Sequence, residues 1–376
     1  MMVNLTIKDL LHYPTRLILV ILGLSMSLLM VHVSFGMVNG TLEQATLVVD
    51  NSEYDCYVIQ KNVPNIMISG SVSDDIFKEV KEAKSVKKAD QVFDGYVNIN
   101  HKDEDTGSFI LGYDPKSDLL EPWDLVEGNL NDLKKNSTII VDVLLRDKFF
   151  PDLTVGDKIK VGDFDEELKI VGFCENFRKF GNPGIWTHVD RAKDLLHLEN
   201  ESIYIGLALN EGYTIDDLKD DLEEFDDDIK IVSAEKMKES VRDYLLNDFG
   251  VAASLGILAV IGFTVAMVII SISMYQSVSD KLPELVSLKA LGADKRYVNN
   301  ILIGQTSIIV TLSFVFSTIT ALLISPILSQ FSTFPIILNI FWTFVAYGIS
   351  IGLGILCSLF SIRKVHKTDP GIIFRS

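Results

Sequence analysis

The sequence predicts an α-helical membrane domain of four transmembrane helices plus an α+β extracytoplasmic domain inserted between helices 1 and 2. Three observations predict it. The windows 17–42, 249–279 and 297–362 contain no Lys, Arg, Asp or Glu. Basic residues gather at one set of ends of those windows. Most of the acid in the chain falls in the long segment between the first window and the second.

A run of about 20 apolar residues spans the hydrocarbon core of a bilayer. The first window holds one such run, placed at 17–39 behind a cytoplasmic N-terminal segment, 1–16. Its apolar core is long and no Ala-x-Ala pattern follows it, so it reads as an uncleaved anchor. The second window holds one span, 248–276. The third is 66 residues long, twice what one span needs. Pro326 and Pro335 bracket "SPILSQFSTFP" within it, which divides it into spans at 297–325 and 336–362 around a short outer loop, 326–335.

Sidedness follows from the basic residues near span ends. Lys8 and Arg16 precede the first span. Lys281, Lys289, Lys295 and Arg296 lie in 277–296, and Arg363, Lys364, Lys367 and Arg375 in the tail 363–376. The 326–335 loop has none. Both termini are therefore expected in the cytoplasm and 40–247 outside, which makes the chain a multi-pass protein of the cell membrane. Of the 34 basic and 51 acidic residues, ten and six lie outside 40–247, which leaves that segment 24 and 45, a net −21. Such an acidic surface excludes nucleic acid as a natural partner.

The outer segment alternates strand and helix signals. "YDCYVIQ" (54–60), "VFDGYVNIN" (92–100), "SFILGY" (108–113), "STIIVD" (137–142), "SIYIGLAL" (202–209) and "IKIVSA" (229–234) read as strands, and 155–173 as a hairpin. Helical patterns fall at 74–86, 191–198 and 215–225. The flanks 39–49 and 233–249 read as stalks that extend the first two spans outward. Cys56 and Cys174 are the two thiols that an oxidising compartment could pair.

No chemistry of its own is legible in the chain. The six histidines are scattered, no Gly-x-Ser-x-Gly elbow occurs, and the dipeptide Gly-Lys needed for a phosphate loop is missing. Charge within the spans is absent, which argues against an ion-coupled carrier. His32, with Met26 and Met30 on the same helix, is a ligand set that could hold haem iron or a soft metal; core filling is the simpler reading. Gly348 and Gly352 form a small-xxx-small pair suited to close helix packing.

The segment 277–296 carries the most information. Ser279 and Asp280 offer capping oxygens, Pro283 suits a first turn, and Gly292 a C-terminal stop. Leu285, Leu288 and Leu291 recur at helical spacing between them. This is a short amphipathic helix outside the membrane.

"SDKLPELVSLKALGADKRYVNNILIGQT" (279–306) resembles the segment after the second span of MacB/FtsX-type ABC transporter permeases. Ser-Asp-x-Leu-Pro-Glu (279–284), "FILGYDP" (109–115) and the hairpin 155–173 resemble the DevC/HrtB-like subgroup, and "IRKVHKTDPGIIFR" (362–375) the family's basic ending. Gln305 departs from a Glu that the family often has. The resemblance implies a permease subunit without enzymatic activity, with ATP and Mg bound by a separate cytoplasmic ABC ATPase subunit and no cofactor in this chain. It implies that Leu282, Pro283, Glu284, Leu285, Leu288, Lys289 and Leu291 form the coupling helix that docks on the ATPase, and that Gly292 and Ala293 make its exit. It also implies a dimer of permeases, homodimeric or with a paralogue, an extracytoplasmic adaptor in some members, and contact with membrane lipid. Members export lipids, haem, drugs or peptides by mechanotransmission. FtsX-type members instead signal to an outer partner without transport.

Overall fold

The computed structural model describes residues 12–102, 104–135, 137–162, 167–222, 228–280, 295–331 and 334–367. The chain forms two compact units. One comprises Met1–Asn39, Val251–Ser329 and Ile336–Ser376, and the other Gly40–Gly250 with Gln330–Pro335. Helix α1 (Pro14–Asp50) is one unbroken element of 37 residues shared by both.

Beyond α1 the outer unit runs β1 (Cys56–Gln60), β2 (Val72–Ser73), α2 (Asp74–Glu82), β3 (Val86–Val92), β4 (Asp94–His101), β5 (Glu104–Tyr113), β6 (Leu125–Gly128) and β7 (Thr138–Asp142). It continues with β8 (Lys158–Val161), β9 (Glu167–Cys174), β10 (Arg178–Lys179), β11 (Asn182–His188), α3 (Val189–Leu195), β12 (Glu201–Ser202), β13 (Tyr204–Leu209), α4 (Ile215–Asp221), β14 (Ile229–Ser233) and α5 (Ala234–Asp243). The short helices start where side chains supply the missing acceptors. The Ser73 hydroxyl caps α2, and Thr214 with Asp217 makes a capping box on α4.

Among the described residues the outer unit holds two large sheets and one short antiparallel pair, β2 with β12. The smaller of the two large sheets has the order β14–β1–β13–β3, entirely antiparallel, and α2 and α4 bury Val80 and Leu218 against Cys56, Val58, Ile205 and Leu207. Beyond its other face Tyr54 packs edge-on to Tyr57, and Tyr57 at a tilt to Tyr204. Gly206 makes room for the Tyr54 ring, because a Cβ there would lie 2.4 Å from it. In the larger sheet β11 pairs with β5, β5 with β4, β4 with β8, β8 with β9, β9 with β7, and β7 again with β11. The pairing closes on itself as a six-stranded barrel, with β10 and β6 added at its margins. Alternating inward residues fill it: Ile99, Ile110, Ile139, Val161, Ile170 and Ile185 are all at most 1% exposed.

Several of these strands escape a reading by hydrophobic alternation. β3 ("VKKADQV") is charged, β6 ("LVEG") is short and exposed, and β11 begins with Asn-Pro-Gly. Each is fixed by its partners rather than by its own pattern. The β10–β11 turn consists of Phe180 (φ 49°) and Gly181 (φ 77°), both in the left-handed region. That conformation costs a bulky side chain about 1 kcal/mol or more.

Cys56 lies in the small sheet and Cys174 at the end of a barrel strand, and both thiols are free and buried. The pairing considered from the sequence is not made. Burial pushes the Cys56 thiol up to about 12 and the Cys174 thiol higher still.

Over 233–249, read from the sequence as a stalk that extends the second span, the helix is interrupted. α5 ends at Asp243, a π-turn follows over Tyr244–Asp248, and Gly250 takes φ +73° before α6 (Val251–Asp280) begins. Helices α7 (Lys295–Phe331) and α8 (Ile340–Lys367) complete the fold. Among the described residues four helices are long and apolar enough to cross a membrane, within Pro14–Asp50, Val251–Asp280, Asn299–Ser329 and Ile340–Phe360. Pro326 was expected to end the third span, yet it sits inside α7. A proline there leaves the Leu322 carbonyl without its helical donor, and the Ser325 hydroxyl donates to that oxygen at 3.4 Å.

The membrane unit is packed by a cluster that includes Leu24, Leu28, Val31, Ile270, Val310 and Phe314. Small residues set its closest approaches. A Cβ on Gly262 would meet the Ser27 carbonyl oxygen at 2.9 Å, and one on Gly354 the Val310 side chain at 2.9 Å. A Cβ on Gly348 or Gly352, the pair singled out from the sequence, would meet nothing within 4 Å among the described residues. The glycines that seat the helices are thus different ones. Periodicity cannot tell which glycine faces a neighbour.

Candidate functional site

The candidate coupling residues Leu282, Pro283, Glu284, Leu285, Leu288, Lys289, Leu291, Gly292 and Ala293 lie outside the described residues. What the structure describes is the point from which that segment departs. Asp280 is the last residue of α6, where the helix's exposed carbonyls make a further negative charge unfavourable. Arg16, near the start of α1, answers both. Its Nη1 lies 2.7 Å from Asp280 Oδ2 and its Nη2 donates to the Ser273 carbonyl at 2.6 Å. Ser273, Ser277 and Asp280 recur along one face of α6, so the guanidinium spans its last two turns.

Below this clamp α1, α6 and α7 enclose a small cavity of about 40 Å³, lined in part by Arg16, Val20, Met274, Ser277 and Gln305. It is room for a water or two. Gln305, which stands where the family often has Glu, is therefore packed at the base of the membrane unit beside the clamp.

The second candidate set, Met26, Met30 and His32, is not brought together. Met26 is 67% exposed on the outer face of α1, Met30 is partly buried, and His32 is 2% exposed on the opposite face. His32 Nδ1 donates to the Leu28 carbonyl at 2.8 Å, which fixes the ring proton there. Nε2 is then the acceptor facing the Thr318 hydroxyl at 3.0 Å, whose one proton it shares with the Phe314 carbonyl at 2.8 Å. The imidazole packs 4.9 Å from the Phe314 ring, Phe314 packs 5.1 Å from Tyr347, and Tyr347 shares a hydrogen bond of 2.9 Å with Thr311. This seam joins α1, α7 and α8. Nearby, the Ser25 hydroxyl reaches the Ser313 carbonyl, and Ser34 the carbonyl of Leu255. Sequence reasoning missed the seam, although Thr311, Phe314 and Thr318 recur at helical spacing as its trace.

Among the described residues of the outer unit one ion pair is buried and a second nearly so. Lys179 Nζ lies 3.1 Å from Asp94 Oδ2, both under a tenth exposed, and also 4.3 Å from the centre of the Phe109 ring. Arg178 Nε lies 3.0 Å from Asp142 Oδ1, and Asp142 further accepts from the Leu144 and Phe177 amides. Burial raises the pKa of both carboxyls, against the pull of the adjacent cations. Among the described residues no group of three His, Cys, Asp or Glu is placed to hold a metal.

Residues 17–225 match the family described as the MacB-like periplasmic core domain, and 256–370 match the FtsX-like permease C-terminal family. An ABC transporter permease of Methanocaldococcus jannaschii is 26% identical over 238 residues, covering 58% of this chain and 57% of its own length. The chain thus spans little more than half of that relative. A Staphylococcus haemolyticus chain named as the hemin transport system permease protein HrtB is 23% identical over 379 residues, covering 98% of this chain and 97% of its own. The periplasmic region of MacB from Actinobacillus actinomycetemcomitans matches 52% of this chain and 96% of its own at 10% identity, with a TM-score of 0.38.

Proposed function

This chain belongs to the MacB/FtsX-type family of ABC transporter permeases, and we propose that it is the permease subunit of an exporter. A separate cytoplasmic ATPase subunit binds ATP and Mg, and this chain converts its cycle into movement outside. The cargo is hydrophobic or amphiphilic, of the class of lipid, haem, drug or peptide. Two copies assemble over the ATPase, and both termini face the cytoplasm.

The observation that carries this reading is α1. Its 37 residues form one helix, about 55 Å long at 1.5 Å per residue, well beyond a bilayer core of about 30 Å. Such an element can carry displacement along its axis without a pore through the spans. The spans themselves pack around an apolar cluster, and the windows that supply them contain no Lys, Arg, Asp or Glu. The Arg16–Asp280 clamp supports the same reading, because it links the foot of α1 to the residue from which the coupling segment leaves. Co-expression with the ATPase subunit tests it. Leu288→Asp is expected to abolish assembly and ATP hydrolysis by the complex. Assembly and hydrolysis left intact would exclude the docking assignment.

The relative named for hemin transport makes haem the first cargo to assay. On that reading Met26, Met30 and His32 are the residues to replace. The hydrogen bonds that occupy both His32 nitrogens favour a packing role instead, so alanine at all three, compared at matched amounts of folded protein, is expected to leave haem resistance unchanged. The match of 256–370 to the FtsX-like family keeps a second reading in view, transmembrane signalling to an outer partner without transport. ATP-dependent extrusion of haem or lipid from proteoliposomes would decide against it.

A further inference from the structure

We propose that the β10–β11 turn, through Phe180, is the latch that passes movement at the entry to α6 into the outer barrel. This rests on the mechanical reading above and names the residues that would carry it. The Phe180 ring lies 4.7 Å from the ring of Phe249, with the planes 32° apart. Phe249 is the last side chain before Gly250, whose left-handed backbone turns the chain into α6. Tyr244 adds a second ring 6.4 Å from Phe249.

A bulky aromatic is a poor choice for the turn itself. Asn or Gly closes a two-residue hairpin of this geometry without strain. Strain of this kind persists where the surroundings over-determine the residue, and the Phe249 contact supplies that reason. Behind the ring, the two strand residues of β10 are held on separate barrel strands. Arg178 is bonded to Asp142 at the end of β7, and Lys179 to Asp94 at the start of β4. Charged hydrogen bonds in a buried setting are stiff. A shift of Phe249 is therefore passed to β4 and β7 rather than absorbed in the loop. The same Lys179 lines a small cavity with Gln44, Ala45 and Val48 of α1, so one turn meets the segments by which the chain enters and leaves the outer unit.

Phe180→Gly separates this role from a merely structural one. It removes the ring and also relieves the turn, since glycine adopts positive φ freely, so the fold and melting temperature should hold. The full chain is assembled with its ATPase subunit in lipid nanodiscs. Hydrogen exchange over 94–101 and 138–142 is then compared with and without Mg-ATP and vanadate. The unaltered complex should show a nucleotide-dependent change in those strands. Phe180→Gly should lose it while ATP hydrolysis continues, and Phe249→Ala, at a half-exposed position, should do the same. A normal nucleotide response in both variants overturns the latch alone. No response in the unaltered complex overturns the functional reading, and the latch with it.

Discussion

His32 Nε2 lies 3.0 Å from the Thr318 hydroxyl and joins α1 to α7 within the membrane unit. The only ionisable side chain of the first span is thereby committed to packing at both nitrogens. His32→Ala should destabilise the protein by about 1–3 kcal/mol, from the lost hydrogen bonds and the cavity left behind. His32→Gln, which can donate and accept along the same line, should recover part of it. Met26→Ala, at an exposed position, should change stability by no more than about 0.5 kcal/mol. Thermal unfolding in detergent reads all three, and an unaffected His32→Ala would sink the packing role.

Gly262 is a seat for α1, whereas a Cβ at Gly348 or Gly352 would meet nothing within 4 Å among the described residues. Gly262→Ala drives a methyl to 2.8 Å from Val31 Cγ2 and 2.9 Å from a backbone oxygen. Overpacking of that kind costs about 1–3 kcal/mol. The same replacement at Gly348 or Gly352 should be neutral or gain up to about 1 kcal/mol in helix propensity. Melting temperatures of the three variants check the contrast. A loss at Gly348 equal to that at Gly262 would contradict it.

Asp90 predicts a pH dependence. Burial raises its pKa, and the Ser117 and Tyr54 hydroxyls, both donating to Oδ2, only partly offset this. The fold therefore prefers the protonated carboxyl. Its stabilising contribution is fully present below the ordinary carboxylate pKa of about 3.9 and is lost as pH rises through the higher folded value. Asp90→Asn keeps an oxygen for both hydroxyls and carries no charge. It should be more stable than the parent at pH 7, with the gap closing toward pH 4. Melting curves across that range test the sign; a gap that widens on acidification would reverse it.

Cys56 and Cys174 should resist modification in the folded protein. Their thiols are buried and raised well above the ordinary range, so little thiolate forms at neutral pH. Maleimide should label them only after denaturation, and reductant should not alter electrophoretic mobility. Labelling of either in the native state within minutes would show that its strand opens.

The spans and the insertion of an outer domain were legible because each rests on local composition: bilayer thickness demands long uncharged runs, and Pro14–Asp50, Val251–Asp280, Asn299–Ser329 and Ile340–Phe360 are such runs. The strands with continuous apolar runs, β1, β5 and β7, and the alternating β8–β9 hairpin were legible for the same reason. β11 was not, because Asn-Pro-Gly opens it and only the pairing with β5 and β7 makes it a barrel strand.

By itself, then, the sequence of this protein determined how many helices are apolar enough to cross a membrane, where the outer domain is inserted, and the family to which the chain belongs. These follow from residue type and spacing along the chain. The tertiary structure alone decided that the larger sheet closes into a barrel, that Gly262 rather than Gly348 seats a helix, and that Arg16 clamps Asp280. It also decided that His32 is turned inward to Thr318 and that Phe180 meets Phe249. Periodicity shows which face of an element is apolar, but the residue that covers that face comes from a distant part of the chain, and only folding brings it there.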